Sequence, residues 1–354
     1  DVYKRQLLFL PLDHSLTKGT LLFCLEMGLP VGFTSNVAQL PEELALMRPS
    51  VIAAVPRIFE KVHNAAHRSA HSTRKGPIFD RAESVAVRWS NEHHAGSTRP
   101  WTAAEHWLFD RLVYGKLREA LGGSMRFAFS GGGPLGVRLT HFFDGAGVCI
   151  YEGYGLTETS PTLTINRPGA WRPGSVGRPV SGTTIRIADD GEILAKGPQV
   201  FPGYWRNPEA TAEVLDDDGW FHTGDIGELD DDGFLTITGR KKELLVTAAG
   251  KNVAPAPLED RLRSHPFVSQ AVVVGDQRPF IAALITIDDE VFAHWVQEVG
   301  LAATTVAEAT ASPELREVIR AAVDEANSSV SRAESIREFA ILPNDFTIDA
   351  GELT

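Results

Sequence analysis

The amino-acid sequence predicts an α/β fold in three parts: parallel-sheet α/β layers over residues 7–173, a small β-rich subdomain over 174–241, and a smaller α+β domain over 242–354. Three observations predict it. Up to about Tyr154, short apolar runs alternate with segments of helical spacing, which is the pattern of a parallel sheet whose strands are joined by crossover helices. From Gly174 the texture changes to short strands punctuated by Gly, Pro and Asp. After the charged run Gly239-Arg240-Lys241-Lys242, strands and helices mix once more.

In the first part, residues 31–34, 51–55, 126–130 and 148–151 read as buried strands, each a short apolar run. Residues 18–27, 41–47, 56–70 and 135–145 carry helical spacing or helix starts. In the second part, residues 184–187, 192–196 and 234–238 are the expected strands. The third part should hold a helix at 258–264, strands at 268–275 and 280–287, and helices near 291–299 and 313–328. Residues 64–123 are longer, more polar and richer in His than their flanks. Within and just before them His63, His67 and His71 recur every four residues, so one helix would carry all three on one face, an arrangement compatible with Zn²⁺. The plainer expectation is a solvated helix, because no Cys or carboxylate completes a ligand set nearby in the sequence.

Bulk properties narrow the function. A length of 354 residues suggests roughly two domains, at about 150 residues each. The net charge of −12 argues against a nucleic-acid partner, which requires clustered Lys and Arg to displace counterions from phosphates. Small anionic ligands held by local donors remain open. No apolar run approaches the eighteen or so residues that span a bilayer, which excludes a transmembrane protein and leaves room for peripheral contact with a membrane surface. Cys24 and Cys149 are too few and too isolated for a disulfide framework, so a reducing cytoplasm is the expected location. The N-terminus shows no targeting signal; residues 1–6 join abruptly to Leu7, and the chain is expected to begin inside a domain.

Two loops carry chemistry. Ser130-Gly131-Gly132-Gly133-Pro134-Leu135 follows a predicted strand and precedes a predicted helix, so its amides can approach a ligand without side chains intervening. Alone, it would serve equally well as a Gly-rich turn. About twenty residues later, the next strand ends in Tyr151-Glu152-Gly153-Tyr154-Gly155-Leu156-Thr157-Glu158-Thr159-Ser160-Pro161. In open parallel sheets ligands bind just outside the strands' C-terminal ends, so the two loops should share a cleft. There Tyr154 could stack a purine, Thr157 could bond a phosphate, and Glu158 could hold Mg²⁺, which prefers hard oxygen ligands.

The second of these runs resembles the nucleotide-binding core motif of the adenylate-forming superfamily, which includes acyl-CoA synthetases, peptide-synthetase adenylation domains and luciferases. Further stretches are similar to it. Gly191-Glu192-Ile193 with the run from Gly197 to Trp205 and Pro208-Glu209-Ala210-Thr211 resembles the β-subdomain motif, and Gly219-Trp220-Phe221-His222-Thr223-Gly224-Asp225 resembles the segment whose Asp binds the ribose. A carboxylate suits that role because it can accept from both vicinal hydroxyls. Gly239-Arg240-Lys241-Lys242-Glu243 resembles the family hinge, with Arg240 meeting ribose and phosphate and Lys242 as pivot. The loop from Thr247 to Pro255 resembles the one lining the pantetheine channel, with Ala249-Gly250 where the family commonly has a Gly pair. Leu10-Pro11-Leu12-Asp13-His14 resembles the motif whose His lies beside the carboxylate and phosphate. The run from Val55 to Val62 is similar to long-chain fatty acyl-CoA synthetases in particular.

The resemblance implies ATP-dependent activation of a fatty acid to acyl-AMP with Mg²⁺, then transfer to coenzyme A. It implies a nucleotide site from Gly131, Gly132, Gly133, Pro134, Glu152, Gly153, Tyr154, Gly155, Leu156, Thr157, Asp225, Arg240 and Gly250. His14, Thr157, Glu158 and Lys242 are the implied catalytic residues, with Glu158 holding the metal. Residues 1–241 would be the C-terminal part of a large AMP-binding domain and 242–354 a mobile, truncated C-terminal domain. The family's phosphate loop and adenylation Lys would fall outside the 354 residues, so this chain is expected to form acyl-adenylate poorly. Aryl-acid or amino-acid adenylation, a fatty acyl-AMP ligase and a non-catalytic nucleotide-binding homologue are the alternatives. A dinucleotide-dependent oxidoreductase is disfavoured, since no Gly-x-Gly-x-x-Gly opens a βαβ unit.

Overall fold

The computed structural model describes residues 5–34, 36, 39–73, 75–347 and 350–352, except the side chains of Glu290 and Glu298. The first part alternates as β1 (Gln6–Leu8), α1 (Ser15–Glu26), β2 (Val31–Phe33), α2 (Leu40–Met47), β3 (Val51–Ala54), α3 (Pro56–Ser72), α4 (Gly76–His94), α5 (Pro100–Phe109), α6 (Gly115–Ala120), β4 (Phe127–Ser130), α7 (Val137–Gly145) and β5 (Cys149–Tyr154). Two short strands follow, β6 (Thr164–Ile165) and β7 (Arg178–Pro179). They form one sheet in the order β2-β1-β3-β4-β5-β6-β7. Its first five strands are parallel, with Val51 opposite Phe127 and Phe127 opposite Cys149, and β6 and β7 are antiparallel additions.

Proline at the first turns of α2, α3, α4 and α5 is placed where a missing amide costs nothing. The core beneath the sheet gathers Leu7, Ile52, Phe59, Tyr114, Phe142, Phe143 and Ile150, all essentially without exposure. Burying each such side chain contributes roughly 1.5–3 kcal/mol relative to leaving it in water.

The β-rich part holds β8 (Thr184–Ile187), β9 (Glu192–Lys196), α8 (Pro208–Val214), β10 (Phe221–Leu229) and β11 (Leu235–Arg240) in the sheet order β11-β10-β9-β8. Along β10 every second residue from Phe221 to Gly227 is buried, the period-two pattern of a sheet with one covered face. The chain then forms β12 (Leu245–Val246), β13 (Asn252–Val253), α9 (Pro255–Arg263), β14 (Val268–Val274), β15 (Ile281–Ile287), α10 (Asp289–Val299), α11 (Val306–Ala309), α12 (Pro313–Asn327) and β16 (Ile336–Ile341). Here β14 and β15 are antiparallel, β16 runs parallel to β15, and Leu258, Leu262, Ile285, Leu315, Ile319 and Val323 fill the core.

Contacts divide the chain into two units: residues 1–223 with 227–237, and residues 224–226 with 238–354. Among the described residues no helix is long and apolar enough to cross a membrane.

The α/β class with its β-rich and α+β parts is as the sequence predicts. Four local expectations change. First, β5 reaches Tyr154 rather than ending near residue 151, because β6 pairs with it, placing Gly153 opposite Ile165. Second, the polar segment after His63 contains three further helices; α4 buries Phe79, Ala82, Val85 and Ala86 while charges line its outer face, which disguises it in the composition. Third, β1, β10 and β16, like the two-residue strands β6, β7, β12 and β13, have no counterpart among the expected strands. Fourth, the His-bearing face of α3 is only partly solvated, running from buried His63 through half-buried His67 to exposed His71. His63 is 5% exposed, edge-on to Phe79 and Phe142, and carboxylates do stand nearby, because α4 brings Asp80 and Glu83 against this face.

Candidate active site

In the first unit the Gly-rich loop leaves β4 still tied to its neighbour, with the Gly131 amide donating to the Ala54 carbonyl at 3.2 Å. Gly132 has φ +83°, a conformation that favours glycine. A Cβ on Gly131 or Gly133 would meet only ordinary contacts, 3.5 Å to the Gly153 carbonyl and 3.7 Å to Pro56. Internal packing therefore does not demand glycine at these two positions. Pro134 then leads to Leu135, whose amide donates to Glu152 Oε2 at 3.0 Å.

Glu152 is 5% exposed, and its other oxygen accepts from the Thr140 hydroxyl at 3.1 Å. Burial pushes its carboxyl above the usual range, opposed by the two hydrogen bonds. Glu152 thus fastens the Gly-rich loop and the start of α7 to β5. The two loops read from the sequence do come together. Gly155 is required sterically, since a Cβ there would lie 1.7 Å from the Pro161 carbonyl oxygen. Tyr154 is 9% exposed, within the buried cluster of Leu163, Ile193, Phe221 and Leu235, so little of its surface is left for the purine stacking expected of it.

Beyond Leu156 a single turn of 3₁₀ helix, Thr157–Thr159, presents an exposed Thr157 and a half-buried Glu158. The Thr157 hydroxyl lies 3.4 Å from that of Ser15, the first residue of α1, and His14 caps the same helix by accepting the Leu16 amide on Nδ1 at 3.2 Å. His14, Ser15 and Thr157 therefore gather although 142 residues separate the two hydroxyls. Glu158 Oε1 accepts the Tyr204 hydroxyl at 2.9 Å, and its carbonyl accepts the Phe201 amide at 2.7 Å. Burial and the Glu158 charge raise the Tyr204 phenol above its ordinary value. Ser15 and Tyr204 were not singled out by sequence reasoning. Tyr204 lay inside a recognised motif; for Ser15, its place beside His14 was the available signal. The hydroxyl of Thr157 and the carboxylate of Glu158 are hard oxygen donors, a set that fits Mg²⁺.

In the second unit Asp225, 5% exposed, accepts from Arg240 Nε at 3.0 Å, and the Arg240 side chain is largely in solvent. Lys242 borders an open groove of about 560 Å³ together with Glu243, Glu259 and Asp276. Burial raises the Glu259 carboxyl, which accepts the Val273 amide at 2.8 Å. Gly250 has φ +79° with open space around it, so turn conformation rather than crowding calls for glycine. Its amide closes onto the Thr247 carbonyl at 2.8 Å between β12 and β13.

One further constellation resembles a nucleophile site but is not built as one. Ser90 bonds both His141 Nδ1, at 2.9 Å, and Asp144, at 2.6 Å, yet Ser90 is fully buried and the carboxylate holds the serine rather than the imidazole.

The family described as "AMP-binding enzyme" matches residues 2–205, and its "AMP-binding enzyme C-terminal domain" matches residues 242–348. Long-chain-fatty-acid–CoA ligases FadD15 of Mycobacterium bovis and Mycobacterium tuberculosis are each 54% identical over 352 residues, 99% of this chain. The chain spans 58% of the length of those relatives. The adenylation domain of a carboxylate reductase from Mycobacterium chelonae has a similar fold, with a TM-score of 0.71 at 24% identity, covering 99% of this chain and 50% of that one. An O-succinylbenzoate coenzyme A synthetase from Bacillus subtilis, solved with ATP and magnesium, gives 0.63 at 22% identity, covering 96% and 58%. With the family match covering 204 of 354 residues, the chain belongs to the AMP-binding enzyme family.

Proposed function

We propose that this chain is part of a long-chain-fatty-acid–CoA ligase, in which residues 1–241 belong to the large nucleotide-binding domain and residues 242–354 to the smaller C-terminal domain. The observation that carries this reading is the 54% identity to the two mycobacterial ligases over nearly the whole chain. In the first half-reaction a fatty carboxylate oxygen bonds to the α-phosphorus of ATP as the bond to the bridging oxygen breaks, giving acyl-AMP and pyrophosphate. In the second, the sulfur of coenzyme A, losing its proton, bonds to the acyl carbon and AMP leaves.

The Gly131–Pro134 loop and the segment Glu152–Thr157 surround the adenosine phosphate, with Glu152 acting from behind by fixing the loop. Asp225 accepts the ribose hydroxyls, and Arg240, already aligned on it, meets the same ribose and phosphate. His14 and Thr157 border the reacting carboxylate and phosphate. Lys242 is the pivot about which the C-terminal domain presents the Gly250 loop to the thiol arm. Mg²⁺, when held by Glu158, supplies positive charge against the phosphate oxygens. Cys24 and Cys149 are free thiols, which accords with a cytoplasmic location, and a peripheral contact with membranes would bring the enzyme to its acid.

Calorimetry with non-hydrolysable acyl-sulfamoyl adenosines tests the acid class without requiring turnover. The palmitoyl analogue should bind at least about tenfold tighter than the benzoyl and aminoacyl analogues, a difference of about 1.4 kcal/mol. A reversed order assigns another acid class. Equal affinity of all three with AMP alone would leave only a nucleotide-binding homologue.

A further inference from the structure

Among the described residues, one group of three metal-ligating side chains converges, and it shares no residue with those assigned above to the ligase reaction. We propose that His67 and His71 of α3 and Asp80 of α4 form a binding site for a divalent transition-metal cation of the Zn²⁺ class.

The geometry is built by two helices. Residues four apart on α3 stand one above the other, and the two imidazoles stack with centroids 4.2 Å apart and planes at 28°. Asp80, on the opening turns of α4, brings Oδ1 to 3.1 Å from His71 Nε2 and 3.4 Å from His67 Nε2, and the three ligand atoms all lie within 4.8 Å of one another. A tetrahedral Zn²⁺ with bonds of 2.0–2.2 Å sets neighbouring ligand atoms about 3.4 Å apart. Two of the three edges already have that length. The remaining edge is no longer than 4.8 Å, and His71 and Asp80 are half exposed, so small side-chain rotations can adjust it.

The inner side of the cluster is supported and its outer side is open. His67 lies edge-on to Phe79, with centroids 5.7 Å apart at 87°, and His63 stacks beneath it while facing the Glu83 carboxylate at 3.2 Å. Glu83 is in turn paired with Arg138. Gly76 makes room for the outer ligand: a Cβ there would come within 2.4 Å of His71 Nδ1. Exposure of Asp80 and His71 leaves a fourth coordination position to water. Two imidazoles and one carboxylate suit Zn²⁺ and its first-row neighbours, whereas Mg²⁺ and Ca²⁺ select oxygen. Because the ligands come from consecutive helices, the cation would clamp the turn joining α3 to α4, and binding to the folded state alone raises stability.

The test uses the tag-free 354-residue chain, stripped with chelator and titrated with Zn²⁺ by competition calorimetry. One equivalent should bind, the thermal midpoint should rise, and X-ray absorption should show two imidazoles and a carboxylate around the metal. His71→Ala and Asp80→Asn, both at half-exposed positions, should each weaken binding at least about tenfold, with far-UV circular dichroism unchanged. His93→Ala, outside the cluster, should leave affinity intact. Unaltered affinity in both cluster variants, a His93→Ala loss of equal size, or Mg²⁺ competing on equal terms would each overturn the assignment. The absorption spectrum of the wild-type chain decides the ligands independently of the variants.

Discussion

Replacing Glu152 with Ala should loosen the Gly-rich loop, and the expected loss follows from its partners. The Leu135 amide, in a residue 3% exposed, loses the carboxylate that accepts it at 3.0 Å. A buried donor left without an acceptor costs about 1–3 kcal/mol. The Thr140 hydroxyl is spared, because it also lies 3.1 Å from the Gly136 carbonyl. The vacated side-chain volume adds a cavity term, and removal of a desolvated carboxyl partly offsets it, so the net loss is placed at about 2 kcal/mol. Urea unfolding followed by tryptophan fluorescence suits the measurement, since Trp89, Trp101, Trp107, Trp171, Trp205 and Trp220 lie in the first unit and only Trp295 lies in the second. A pH series with Glu152→Gln adds a sign. Burial raises the folded carboxyl above 4.5, so its contribution is complete below that pH and declines as pH rises towards the folded value. The stability advantage of wild type over Glu152→Gln should therefore shrink as pH rises from about 4.5. A loss below about 0.5 kcal/mol for Glu152→Ala, or an advantage that grows with pH, would refute the reasoning.

Tyr204→Phe removes the hydroxyl that holds Glu158 and should weaken Mg²⁺-dependent ATP binding about fivefold, the worth of one hydrogen bond, without changing the fold; calorimetry with and without Mg²⁺ checks it. Arg240→Ala and Asp225→Asn should couple by about 1 kcal/mol in a double-mutant cycle on the stability of the second unit, a modest value because Arg240 is largely in solvent. Burial, with Asp144 nearby, pushes the Cys149 thiol up to about 12, and burial also raises Cys24. Native-state labelling with a thiol reagent at pH 8 should thus be slow at both positions and become rapid only in denaturant.

Much of the fold was legible because periodicity reports burial directly. The runs at 51–55 and 126–130 became β3 and β4, and the spacing of residues 56–70 became α3. The segment 64–123 resisted because α4 hides a covered face of Phe79, Ala82, Val85 and Ala86 beneath a polar average. Within the candidate site, Gly132 and Gly155 could be read because a positive φ and a close backbone approach demand glycine there. Ser15 and Tyr204 could not, since their contacts span 142 and 46 residues.

The sequence by itself determined the α/β class, the order of its parts and the family resemblance, because these depend on residue type and local spacing. Only the tertiary structure decided which groups are already engaged: Glu152 behind the Gly-rich loop, Glu158 on Tyr204, Asp225 on Arg240. It also decided that the histidines of α3 meet Asp80, a carboxylate supplied by the next helix. The physical reason is that coordination and hydrogen bonding act over about 2–3 Å, and such distances between residues on different elements are set by helix and strand packing rather than by spacing along the chain.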